Sequence, residues 1–173
     1  MKQIMFATTL FVASLSPPVF ASDWGCQVLL CLSNPSGPEA VSQCVPPIER
    51  LWNELRHGHP FPSCDTGPSG SGDYANNTWA NSSYCTQSLV QLNASDPTDP
   101  TGASCNAQGA VAVTVSGVLD TRVWWGVGGG TSTTLVETAA AGTLGYEPTL
   151  AVTNAVAAEA AREAAAAGGG YAP

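Results

Sequence analysis

The chain has 173 residues, of which five are basic and thirteen acidic, for a formal charge of −8. An acidic balance of this size argues against phosphate backbones and anionic lipid surfaces as direct partners, since both call for clustered Lys and Arg. Charged residues make up 10% of the chain, well under the usual ~25%. Ser, Thr, Asn and Gly must therefore supply the solvated surface. The apolar fraction is inflated by alanine, which predicts a small core in need of cross-links.

Residues 1–21, MKQIMFATTLFVASLSPPVFA, open with Lys2, continue as an apolar run from Ile4 to Leu15 and close on Val19-Phe20-Ala21. This is the pattern of a secretory signal peptide, cut after Ala21. The run is too short for a membrane span, which needs about 20 apolar residues, and Pro17-Pro18 ends it. Asp23-Trp24-Gly25 before Cys26 does not suit a lipoprotein site. Cleavage leaves 152 of the 173 residues, with four arginines, no lysine and thirteen acidic residues, a balance of −9. That length suits about one domain. The expected location is the periplasm, or outside the cell, with no transmembrane segment in the mature chain. All six cysteines (Cys26, Cys31, Cys44, Cys64, Cys85 and Cys105) follow the signal. An even number of exported cysteines reads as a disulfide framework. Close C-x₂-C pairs, which would suggest zinc or redox chemistry, are missing.

Residues 22–64 read as a disulfide-rich αα-hairpin. Val28, Leu29, Leu30 and Leu32 form a first apolar cluster, and Ser33-Asn34-Pro35-Ser36-Gly37-Pro38 breaks it with turn chemistry. Val41, Val45, Ile48, Leu51, Trp52 and Leu55 then recur at helical steps. Pro46-Pro47 restricts this to a short helix near 39–44 and a longer one over about 46–57, ended by Gly58 and Pro60. Residues 65–83 are rich in Gly, Ser and Asn without periodicity and read as a linker. Residues 84–137 read as an antiparallel β module. Its expected strands are Tyr84–Val90, Ala110–Gly117 with Val111, Val113 and Val115 on one face, Arg122–Val127, and Thr133–Thr138. Residues 138–173 read as an irregular segment, an alanine-rich helix over 149–167 and a tail. The expected fold class is α+β: a small stapled N-terminal αα-hairpin, a three- to four-stranded antiparallel β-meander and an Ala-rich C-terminal helix.

Chemistry-bearing residues are sparse. His57 and His59 form a His-x-His pair, but they sit at an expected helix C-terminus, where they and Arg56 complement the dipole. Glu49 and Glu54 read as the solvent side of the second helix. The glycine-rich Gly126–Gly130 lacks the Lys-Ser/Thr of a phosphate loop, and no G-x-S-x-G or H-E-x-x-H occurs. The expectation is therefore a chain with no catalytic constellation, no cofactor site and no metal site. Trp124 and Trp125 alternate across one strand, so one is expected in the core and the other outside. With Arg122 they form the candidate binding surface, since Trp and Arg are enriched in binding hot spots.

The pattern Cys26, Cys31-Leu32-Ser33-Asn34-Pro35, Cys44, Pro46-Pro47-Ile48, Leu51-Trp52, Leu55 and Phe61-Pro62-Ser63-Cys64 resembles the TrbM/KikA/MpfK family of conjugal transfer proteins. Tyr84-Cys85, Cys105, Gly109-Ala110-Val111 and Arg122-Val123-Trp124-Trp125 extend the resemblance over roughly residues 24–137. It implies an exported accessory of a plasmid-borne type IV secretion and mating-pair system, with protein components of that apparatus as partners and no direct contact with nucleic acid. The alternative is an exported enzyme or toxin acting on the cell envelope. Six cysteines allow fifteen connectivities. The turn after Leu32 brings Cys31 to Cys44, Cys26 then meets Cys64 on the returning segment, and Cys85 is left for Cys105.

Overall fold

A computed structural model describes residues 23–62, 64, 74–145 and 148–168. The expected signal peptide (1–21), residues 65–73 of the expected linker and the terminal residues 169–173 lie outside the described residues.

Helix α1 (Asp23–Leu32) places Val28, Cys31 and Leu32 on one buried face, three and four residues apart. It ends where the Ser33 hydroxyl donates to Leu29 O (2.8 Å) and Asn34 Oδ1 accepts from Ser36 N (3.0 Å). A 3₁₀ turn over Ser42–Cys44 leads into α2 (Val45–Arg56). Pro46 and Pro47 occupy its first turn, where no backbone donor is lost to the helix. Its buried stripe is Pro47, Ile48, Leu51, Trp52 and Leu55. Gly58, at φ +75°, lets the chain leave the helix. Two disulfides staple this hairpin, Cys31–Cys44 and Cys26–Cys64. The Trp24 indole donates to Pro47 O (3.2 Å), and the Arg50 guanidinium lies 3.9 Å above the Trp24 ring.

The sheet is four-stranded and antiparallel, in the order β1-β4-β5-β6. Its strands are β1 (Tyr74–Trp79), β4 (Gly109–Val115), β5 (Val118–Trp125) and β6 (Thr134–Thr138). A separate two-stranded ribbon pairs β2 (Val90–Gln91) with β3 (Ser104–Cys105). Ser116 and Gly117 close the β4–β5 hairpin with φ of +51° and +78°, the positive pair that a type I′ turn requires. The register shifts by one between Val113 and Thr114 of β4, with Asp120 as the extra residue on β5, and beyond this shift Val115 is exposed, unlike Val111 and Val113.

Two layers cover the sheet. On one face Val111, Val113, Val123 and Trp125 pack against Val28, Leu32, Ile48, Leu51, Trp52 and Leu55 of the helices. The helical hairpin and the sheet thus share one core. On the other face Ala110 and Trp124 pack against Cys85 and Leu89 of the segment between β1 and β4, and against Ala151 of α3 (Ala151–Gly168). The third disulfide, Cys85–Cys105, ties that covering segment to itself. Helix α3 buries Ala151 and Val152, whereas residues 160–167 are exposed. No helix among the described residues is long and apolar enough to cross a membrane.

The α+β class and the three cysteine pairs are those expected from the sequence. Three strand assignments differ, one of them β5, expected over Arg122–Val127, which begins at Val118 and ends at Trp125. Tyr74–Trp79, read as linker, is an edge strand of the main sheet. Its Asn76-Asn77-Thr78 centre lacks apolar alternation because an edge strand is held chiefly by backbone pairing with β4. Tyr84–Val90, read as a strand of the meander, is instead mainly a loop with a 3₁₀ turn at Gln87–Leu89. That turn drives Cys85 and Leu89 onto the sheet face, and only Val90 enters the small ribbon.

Candidate functional site

The expected binding surface of Arg122, Trp124 and Trp125 is not a surface. Both indoles are fully buried, and Arg122 is 7% exposed. The alternation across β5 is as expected, but a strand covered on both faces has no outward side. Trp125 enters the helical layer, stacking on Trp52 with ring centroids 6.1 Å apart and meeting Trp79 edge-on at 5.5 Å. Its Nε1 donates to Asn77 Oδ1 (2.9 Å). Trp124 enters the opposite layer beside Tyr84, centroids 5.5 Å apart.

On that second face the β5–β6 register sets Arg122 opposite Glu137 and Trp124 opposite Leu135. Glu137 is 6% exposed. A charge this deep requires partners, and three donors converge on it. The Thr86 hydroxyl donates to Oε1 at 2.5 Å, Arg122 Nη1 to Oε2 at 3.3 Å and Trp124 Nε1 to Oε2 at 2.9 Å. Thr86 arrives from the covering segment, so the cluster joins that layer to the sheet. Arg122 Nε is a buried donor without a hydrogen-bond partner.

Glu137 also lines a cleft of about 470 Å³, together with Thr86, Gln87, Ser88, Gly142 and Thr143. This lies within the ~300–1,000 Å³ common for ligand sites. The Thr143 wall is held by its own hydroxyl, which donates to Thr138 O (3.3 Å) and accepts from Thr138 N (2.8 Å). A concave site with a buried charge and converging hydroxyls is the strongest functional candidate among the described residues.

The other singled-out residues lie elsewhere. His57 and His59 are exposed at the end of α2, with His57 Nδ1 2.8 Å from Asn53 O and His59 paired with Glu54. Glu49 is exposed and borders a small hollow of about 140 Å³ with Trp52, Arg56 and Thr131. No group of three or more His, Cys, Asp or Glu able to hold a metal ion occurs among the described residues. Sequence reasoning passed over Glu137, Thr86 and Thr143. The one local signal was a lone carboxylate inside the otherwise uncharged strand Thr134-Leu135-Val136-Glu137-Thr138. Its pairing with Arg122 becomes visible only once the register is known. No family model, no curated protein and no solved structure matches the chain.

Proposed function

We propose that the chain is an exported accessory protein of a conjugal transfer system, acting in the periplasm by binding a protein partner rather than by catalysis. The observation that carries this reading is the stapled hairpin. The residues behind the family resemblance, Cys26, Cys31-Leu32-Ser33-Asn34-Pro35, Cys44 and Cys64, supply two of the disulfides, and all six cysteines are paired. Disulfides persist in exported chains and are rare in the cytosol of most cells. The state of Glu137 supports binding over hydrolysis. Its carboxylate is occupied by three donors, and it is the one carboxylate among the described residues lining the cleft, whereas glycosidase chemistry uses two.

Deletion of the gene in a conjugative donor tests the reading. Mating frequency should fall at least about tenfold and return with the intact gene, and cross-linking of the tagged protein should capture a component of the mating channel. Mass spectrometry of the periplasmic protein should find Ser22 at the N-terminus. Unchanged mating frequency, or a cytoplasmic protein that retains Lys2, refutes it.

A further inference from the structure

We propose that the cleft above Glu137 binds a protonated amine, namely the ammonium group of a lysine side chain presented by the partner protein. This rests on the binding reading given above and names the chemistry of the contact. The protons available at the cleft decide which ligand it takes. Thr86 spends its hydroxyl proton on Glu137 Oε1, and Thr143 spends its own on Thr138 O. Both therefore offer only lone pairs to an incoming group. A carboxylate oxygen accepts at about two lone-pair sites, and Oε1 takes one hydrogen bond, from Thr86. Gln87 and Ser88 can turn either a donor or an acceptor inward, and Gly142 adds no side chain. Among the described residues, the lining (Thr86, Gln87, Ser88, Glu137, Gly142, Thr143) holds no cationic group.

A site with acceptors in excess selects a ligand that brings donors. An ammonium brings three and accepts none. Arg122 already balances the Glu137 charge locally, so the attraction does not come from a bare carboxylate. It comes from converging lone pairs inside a chain of net charge −8, whose field gathers cations from a distance. An anion or a carbonyl-rich ligand would find side-chain donors only at Gln87 and Ser88 and would meet the lone pairs of Thr86, Thr143 and Glu137 unmatched.

The test is an NMR titration of the ¹⁵N-labelled mature protein with a capped Gly-Lys-Gly peptide, and with the same peptide carrying acetyl-lysine. The lysine peptide should give saturable shifts at the amides of Thr86, Gln87, Ser88, Gly142 and Thr143. Acetylation removes the charge and should weaken binding at least about fivefold. Ser88→Lys, at an exposed wall position, puts a tethered ammonium at the mouth. It should abolish the saturable shifts while circular dichroism and the three disulfides stay as they were. Equal binding of both peptides overturns the proposal, as do shifts scattered over the acidic surface without saturation. Undiminished binding to a folded Ser88→Lys protein does the same. The titration uses purified protein alone. Its failure therefore leaves the mating result standing, and normal mating by a deletion strain leaves the amine site standing.

Discussion

Arg122 and Glu137 are a buried pair, and such pairs are far costlier to break than to replace. Glu137→Leu leaves a guanidinium, an indole N–H and a hydroxyl without their acceptor. It should lower the unfolding free energy by about 3–5 kcal/mol, read from urea denaturation. Adding Arg122→Met should recover part of that loss, and a double variant as unstable as the single one would deny the pair its structural role. Gly109 poses a different constraint. A Cβ there would lie 2.7 Å from Trp125 Nε1, because the indole lies across the strand opposite it. Gly109→Ala should cost about 1–3 kcal/mol by overpacking, with Trp125 fluorescence altered in the folded state. Asp99 is simpler. The Thr101 backbone N–H, and then its hydroxyl, hold the Asp99 carboxyl below the ordinary aspartate range. The charged form is thus favoured by folding, so its contribution is present above the ordinary aspartate pKa and is lost as pH falls through the lower folded value. An NMR pH titration should show the depressed midpoint, and Thr101→Val should move it part of the way back.

Among the elements, the segment between β1 and β4 owes most to covalent chemistry. Apart from the two-residue ribbon it has turns rather than regular structure, yet with Ala151 of α3 it covers Ala110 and Trp124 on one face of the sheet. The Cys85–Cys105 bond spans a sequence separation of 20. Replacing both cysteines by serine should cost about 3 kcal/mol in the chain-entropy model, and hydrogen exchange at Thr86–Gln91 should rise more than at β4 or β5. Equal loosening of the whole chain would contradict this local role. The elements also show where sequence reading succeeds. The stripe Ile48, Leu51, Trp52 and Leu55 announces α2 by its own periodicity, and the Val111/Val113 alternation announces β4. β1 gave no such signal. Asn76, Asn77 and Thr78 are polar and turn-prone, and they become a strand because β4 offers them a ladder.

At the scale of the molecule, the helical hairpin and the sheet bury their apolar faces against each other. They should therefore unfold together. Far-ultraviolet circular dichroism and tryptophan fluorescence should give coincident urea transitions, and an isolated 22–64 peptide should fail to fold even when oxidised. Separate transitions would restore the modular picture. Local pattern in the sequence by itself determined the α+β class, the places of α2, β4 and β6, the second half of β5, and the cysteine pairs that short turns bring together. These depend on periodicity, turn residues and chain reach, all of which act over a few residues. The tertiary structure alone decided that both Trp124 and Trp125 are core, that Arg122 is an interior ion-pair partner, and that Glu137 lines a cleft. Each of these depends on a second layer covering the sheet and on the β5–β6 register. Burial is set by what lands on a face from elsewhere in the chain, and no alternation within a single strand encodes that.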